Sequence, residues 1–149
     1  SLEDYLNFDP KRRRDLDLFD SLVREAAPEL VQYFHAGTPT GEPGMRFKMI
    51  GYGPFHYEAK GGKKVQWPVI GGALQNNYIS VYFAVTQGGT AIGDGYRGRL
   101  GEWRSGDNNF SFRKFTELDG ATLSALVAET AALFKADPYR STQRMQGKL

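Results

Sequence analysis

The chain has 149 residues, 19 Lys and Arg against 17 Asp and Glu for a formal net charge of +2, and no cysteine. This length fits one domain that buries a core without covalent staples, and the lack of thiols excludes disulfides, thiolate metal sites, iron–sulfur clusters and cysteine nucleophiles. The near-neutral charge predicts no strong attraction to nucleic acid or anionic membranes; no apolar run is long enough to span a bilayer and no basic-then-apolar leader opens the chain, so a cytoplasmic location is expected.

The first region reads as helical. Asp9 suits an N-cap and Pro10 a first helical position. Leu16, Phe19, Leu22, Val23, Ala26 and Leu30 recur at helical spacing. Pro28 interrupts that stripe, which predicts a helix ending near Ala26 and a second short helix from Pro28 to about Gly37. From Arg46 to Phe115 the pattern is that of a sheet. Its clearest strand is Tyr78–Val85, with Ile79, Val81, Phe83 and Val85 on one face and Tyr78, Ser80, Tyr82 and Ala84 on the other. Weaker strands are expected at Arg46–Ile50, Phe55–Ala59, Trp67–Ile70 and Phe110–Phe115, with turns at Gly61-Gly62 and Ser105-Gly106. A short helix is expected within Tyr96–Trp103. A closing helix runs from Gly120 to about Phe134 behind Asp119 as N-cap. Residues 1–135 are thus read as one α+β domain, an antiparallel sheet with N-terminal and C-terminal helices on one face. Residues 136–149 are read as a polar, basic tail, extended or disordered.

Four stretches carry a family resemblance. They are Phe47-Lys48-Met49-Ile50-Gly51-Tyr52-Gly53-Pro54-Phe55-His56-Tyr57, Gln75-Asn76-Asn77-Tyr78-Ile79-Ser80-Val81-Tyr82, Gly106 through Lys114, and the Leu118–Phe134 helix. Together they resemble the YdhG-like domains over roughly residues 5 to 135. The chain differs in having Asn76 and Asp107 where that pattern has lysine. The resemblance implies a frataxin-like layout. One branch of the family is described as an intracellular iron chaperone, so the resemblance also brings iron into view. The acidic residues of the first helix that would then serve are Asp15, Asp17 and Asp20. Against that stands a simpler reading: Arg13–Asp17 and Asp20–Arg24 are four apart and face each other as ion pairs on a solvated helix.

The most distinctive feature is a set of tyrosines in or beside strands: Tyr52, Tyr57, Tyr78 and Tyr82. They either line a cleft for a small molecule, with His56 and Arg97 as polar contacts, or pack across strands. Neither His35 nor His56 has a histidine or carboxylate at zinc-ligand spacing, and no partner is visible to orient either ring as a base. No catalytic set is therefore assigned, although His56 as a general base is a further reading. Gly93-Asp94-Gly95-Tyr96-Arg97-Gly98 matches the dinucleotide fingerprint in letters only, since no strand–helix–strand unit surrounds it. Its glycine-rich loop, with Arg97, Arg99 and Arg104, still offers donors to an anion. Lys63-Lys64 and the Arg97–Arg104 segment are too small a basic footprint to predict nucleic-acid binding. The expectation is a small binding domain for a small ligand or metal ion. The alternatives are an iron chaperone-like protein and a protein-interaction module with an exposed sheet face; a homo-oligomer is compatible with each.

Overall fold

The computed structural model describes residues 1–58 and 61–138. Ser1 caps a first short helix, α1 (Leu2–Leu6), by accepting from the Asp4 amide. Asp9 caps a 3-10 turn at Pro10–Arg12, accepting from the Lys11 amide, and the chain continues directly into α2 (Arg13–Ala26). The expected apolar stripe is realised as a buried row of Leu16, Phe19 and Val23. At the other end Asp119 accepts from Thr122 N and starts α3 (Gly120–Ala136). Both helices bury their apolar residues in one core cluster that runs from Leu6 to Ala131. Among the described residues no helix is long and apolar enough to cross a membrane.

The strands are β1 (Val31–His35), β2 (Met49–Gly53), β3 (Phe55–Glu58), β4 (Lys64–Trp67), β5 (Ile70–Gln75), β6 (Tyr78–Phe83), β7 (Thr86–Gln87), β8 (Thr90–Ala91), β9 (Arg104–Ser105) and β10 (Asn109–Phe112). Six of them form an antiparallel sheet in the order β1-β2-β5-β6-β10-β9. β3 and β4 form a separate hairpin, and β7 and β8 a two-residue ribbon. The α+β architecture expected from the sequence is therefore present, with Ile79, Val81 and Phe83 turned to the helix side. Gly72 makes the close approach of α2 possible. A Cβ there would stand 2.7 Å from Phe19 Cε2, so the bare backbone lets the ring approach the middle of the sheet closely.

Two local expectations are corrected. The segment after Pro28 is not a helix but strand β1. The ring of Pro28 fixes a φ equally suited to a helix start and to a tight turn. Here the Leu30 amide closes a turn onto Ala27 O, and Val31–His35 then pair with Gly53–Met49. The Tyr96–Trp103 helix is also absent. Ile92–Tyr96 is a 3-10 turn and the glycine-bearing stretch beyond it is irregular, as low helix propensity at Gly98 and Gly101 favours. No helix follows the Gly93–Gly98 motif, so its context is not that of a dinucleotide loop. The turn expected at Ser105-Gly106 is present, with β9 before it and Gly106 N bonded to Asn109 O. The expected C-terminal tail lies, beyond residue 138, outside the described residues.

The face of the sheet away from the helices, here the open face, is partly covered by residues 36–48. His35 anchors this segment. Its Nε2 is 2.9 Å from Met45 O and its Nδ1 3.3 Å from the Tyr33 hydroxyl. A carbonyl only accepts, so Nε2 carries the proton and Nδ1 accepts from Tyr33. Burial holds the imidazole below its ordinary 6.5, against the opposing pull of the Met45 carbonyl. A base depressed in the folded state binds fewer protons there than when unfolded. Its stabilising neutral state is therefore kept above about 6.5 and is lost as pH falls toward the folded value. Thermal melts should show stability declining as pH drops below that point, with amide exchange rising first in residues 36–48. His35→Gln should flatten this part of the profile.

Candidate functional site: a polar cleft on the open face

Register decides which side chains share the open face. Tyr82 pairs with Gly71 and Asn109, Ser80 with Ala73 and Ser111, Tyr78 with Gln75, and Ser111 with Arg104. Residues directly opposite on neighbouring strands point the same way. β5, β6, β10 and β9 thus present Gln75, Tyr78, Ser80, Tyr82, Asn109, Ser111 and Arg104 on one surface. With Phe47 at one edge and the Ser105-Gly106 turn at another, they line a cleft of about 280 Å³.

The floor of the cleft is polar and buried. Ser80 and Ser111 are 3% and 4% exposed, and their hydroxyls are 2.9 Å apart. A hydroxyl has one proton and two lone pairs, so this pair keeps acceptor capacity for a third group. Tyr82 is also buried. Its burial raises the phenol pKa above the ordinary 10.0, and the adjacent Asn109, Ser80 and Gln75 side chains pull it back only in part. Asn109 is seated on the turn before it, because a Cβ on Gly106 would overlap its Oδ1. A larger residue there would displace the Asn109 amide from this position. Arg12 fixes the far end by donating from Nη1 to Tyr78 O at 2.7 Å and to Gln75 O, while Asn77 takes the left-handed conformation, φ 64°, in the β5–β6 turn.

The rim is aromatic and cationic. Arg104 Nη2 donates to the Tyr78 hydroxyl at 2.7 Å. Its guanidinium carbon lies 4.7 Å from the centre of the Tyr78 ring and 4.6 Å from that of Trp103. Tyr78 and Trp103 meet edge to face at 5.4 Å, and Arg113 approaches the same indole at 4.3 Å. Such contacts fix an arginine in place and leave its in-plane donors usable. Among the described residues no carboxylate or imidazole lines the cleft. The arrangement supplies binding groups rather than an acid–base pair.

Of the residues singled out from the sequence, Tyr78 and Tyr82 are in this cleft. Tyr52 is not. It pairs with Ile70 and so faces the helices, where its fully buried hydroxyl donates to Asp20 Oδ1 at 2.5 Å. Burial first, and then Asp20, push its pKa far above the usual range. Tyr57 lies in the β3–β4 hairpin between Phe55 and Trp67. Its hydroxyl has no hydrogen-bond partner among the described residues, and burial pushes its pKa up to about 12. His56 is on the exposed side of that hairpin, with Nε2 3.3 Å from Gln66 Oε1. Arg97 is held by Asp94 at 2.9 Å and by Asp107 O at 3.1 Å. A single cleft formed by Tyr52, Tyr57, Tyr78 and Tyr82 is thus not what the fold builds.

The three acidic candidates are each engaged within the fold. Asp15 accepts from Phe115 N, Asp17 pairs with Arg13, and Asp20 accepts from Tyr52 and Gln32 and faces Arg24 at 3.4 Å. Among the described residues no three His, Asp or Glu side chains converge as metal ligands do.

A larger groove of about 530 Å³ lies beside α1, lined by Tyr5, Phe8, Phe34, Phe47 and Leu74 among others. Its walls are mostly apolar and Phe8 is 78% exposed. The smaller cleft is the better candidate because several polar groups converge there on one point, which is what orients a ligand. Ser80, Asn109, Ser111 and Gln75 were not singled out from the sequence. The available signal was their parity: Ser80 alternates with Tyr78 and Tyr82, and Asn109 and Ser111 alternate with Phe110 and Phe112. No family model, curated protein or solved structure matches the chain.

Proposed function

We propose that this chain is a binding domain for a small polar molecule, held in the open-face cleft by Ser80, Tyr82, Asn109 and Ser111. The observation that carries this reading is the buried Ser80–Ser111 hydroxyl pair on interior strands of the sheet. Uncharged polar side chains cost stability in such a place when an apolar pair would fill it, and they gain it back when a ligand completes their hydrogen bonds. Tyr78 and Phe47 add apolar surface on which a small molecule rests.

Thermal-shift screening against small polar metabolites tests this. A ligand present at a hundred times its Kd stabilises the folded state by about 2.7 kcal/mol, a readily visible shift. Ser111→Ala and Tyr82→Phe should each weaken binding about two- to tenfold, as expected for one hydrogen bond lost; Ser111→Ala also takes the partner from the buried Ser80 hydroxyl and should lower the unliganded stability by about 1–3 kcal/mol. A ligand whose affinity ignores both substitutions sinks the assignment.

A further inference from the structure

The cleft's cationic rim bears on the charge of what it takes. We propose, resting on the reading just given, that the ligand carries an oxyanion, a carboxylate or a phosphate monoester, and that Arg104 receives it.

Three observations converge on Arg104. It lines the cleft directly, and its register partner is Ser111 on the floor. It is held in a fixed attitude by Tyr78 and Trp103, and it donates to the Tyr78 hydroxyl. It pairs with no carboxylate among the described residues, whereas Arg12, Arg13, Arg24 and Arg97 each do. A guanidinium held against two aromatic rings, with one nitrogen donating to a phenol and no carboxylate partner among the described residues, keeps further in-plane donors for the oxygens of a carboxylate or phosphate.

Arg113 strengthens the case. It too has no carboxylate partner among the described residues, and it contacts the same indole as Arg104. The two guanidiniums are therefore nearer to each other than a Debye length of ~10 Å at 0.1 M salt. They repel, and an oxyanion beside Arg104 relieves that repulsion. The remaining lining supplies neutral donors from Ser80, Ser111, Asn109 and Gln75, which suit the uncharged part of a small hydroxylated or amide-bearing molecule. Among the described residues no acidic side chain in the lining opposes the anion.

The test is a two-dimensional NMR titration of the full chain with inorganic phosphate, acetate and glycerol, at constant ionic strength set with chloride. Phosphate or acetate should saturably shift the Arg104 side-chain Nε–H and the amides of residues 104–111. The stronger of the two identifies a phosphorylated or a carboxylate ligand. Arg104→Gln should weaken that response at least tenfold, Arg104→Lys should recover only part of it, and Arg113→Gln should weaken it less than Arg104→Gln. Unchanged amide dispersion in the variants shows that they fold. Glycerol shifts without anion shifts would overturn the oxyanion inference and leave the cleft reading standing. Anion shifts that persist in Arg104→Gln would overturn the role of Arg104. No response to any probe would remove both.

Discussion

Phe19→Ala should lower the unfolding free energy by about 3–5 kcal/mol, the cost of emptying a fully buried aromatic position. Phe19 is completely buried, meets Tyr52 edge to face at 6.1 Å, and rests on Gly72 in the central strand β5. Its pocket cannot close easily, since Gly72 has no side chain to move into the space and its neighbours sit in a paired sheet. For a domain whose whole stability is of the order of 5–15 kcal/mol, this loss is large enough to read from a urea melt. The reciprocal change, Gly72→Ala, would push the ring off the sheet and should also destabilise. A loss below about 1 kcal/mol for Phe19→Ala, under the range for such truncations, would mean that α2 does not dock here.

The second large effect concerns Asp20. Asp20→Ala removes the acceptor of the Tyr52 hydroxyl and of Gln32 Nε2, both at 2.5 Å. Tyr52 is fully buried, so its hydroxyl is left without an acceptor at a cost of about 1–3 kcal/mol. The expected result is a lower melting temperature in metal-free buffer. Tyr52→Phe in the Asp20→Ala background should return part of the loss, because the stranded donor is gone. Additive effects of the two changes would show that the pair is not coupled. The same measurement matters for any iron titration: a lowered iron response in Asp20→Ala would have to be separated from the weakened fold.

Local patterning made α2, α3 and β6 legible. The α2 stripe, the Asp119 cap and the alternation through Tyr78–Phe83 each depend on neighbours in sequence. β1 was hidden by Pro28, whose fixed φ serves a turn as well as a helix start. Most of β5 was hidden by Gly71-Gly72, which reads as a turn in one dimension. In the fold those glycines leave space on opposite faces of the sheet, Gly72 for Phe19 and Gly71 for Met49. The site was only half legible for a related reason. Alternation fixes which residues share a face within one strand, but register fixes it between strands. Tyr52 pairs with Ile70, which pairs with Phe83 rather than Tyr82, so the tyrosines divide between the two faces. The same pairing brings Ser80 to Ser111 and Arg104 to Ser111, contacts that no local pattern specifies.

Crystals of the chain soaked with a mixture of small polar and anionic molecules test the central claim most directly. Occupancy in the cleft bounded by Ser80, Tyr82, Asn109 and Ser111, with an oxygen against Arg104, is the predicted result. Occupancy confined to the apolar groove of Tyr5, Phe8, Phe34 and Phe47, with the cleft holding only solvent at saturating soaks, would contradict it.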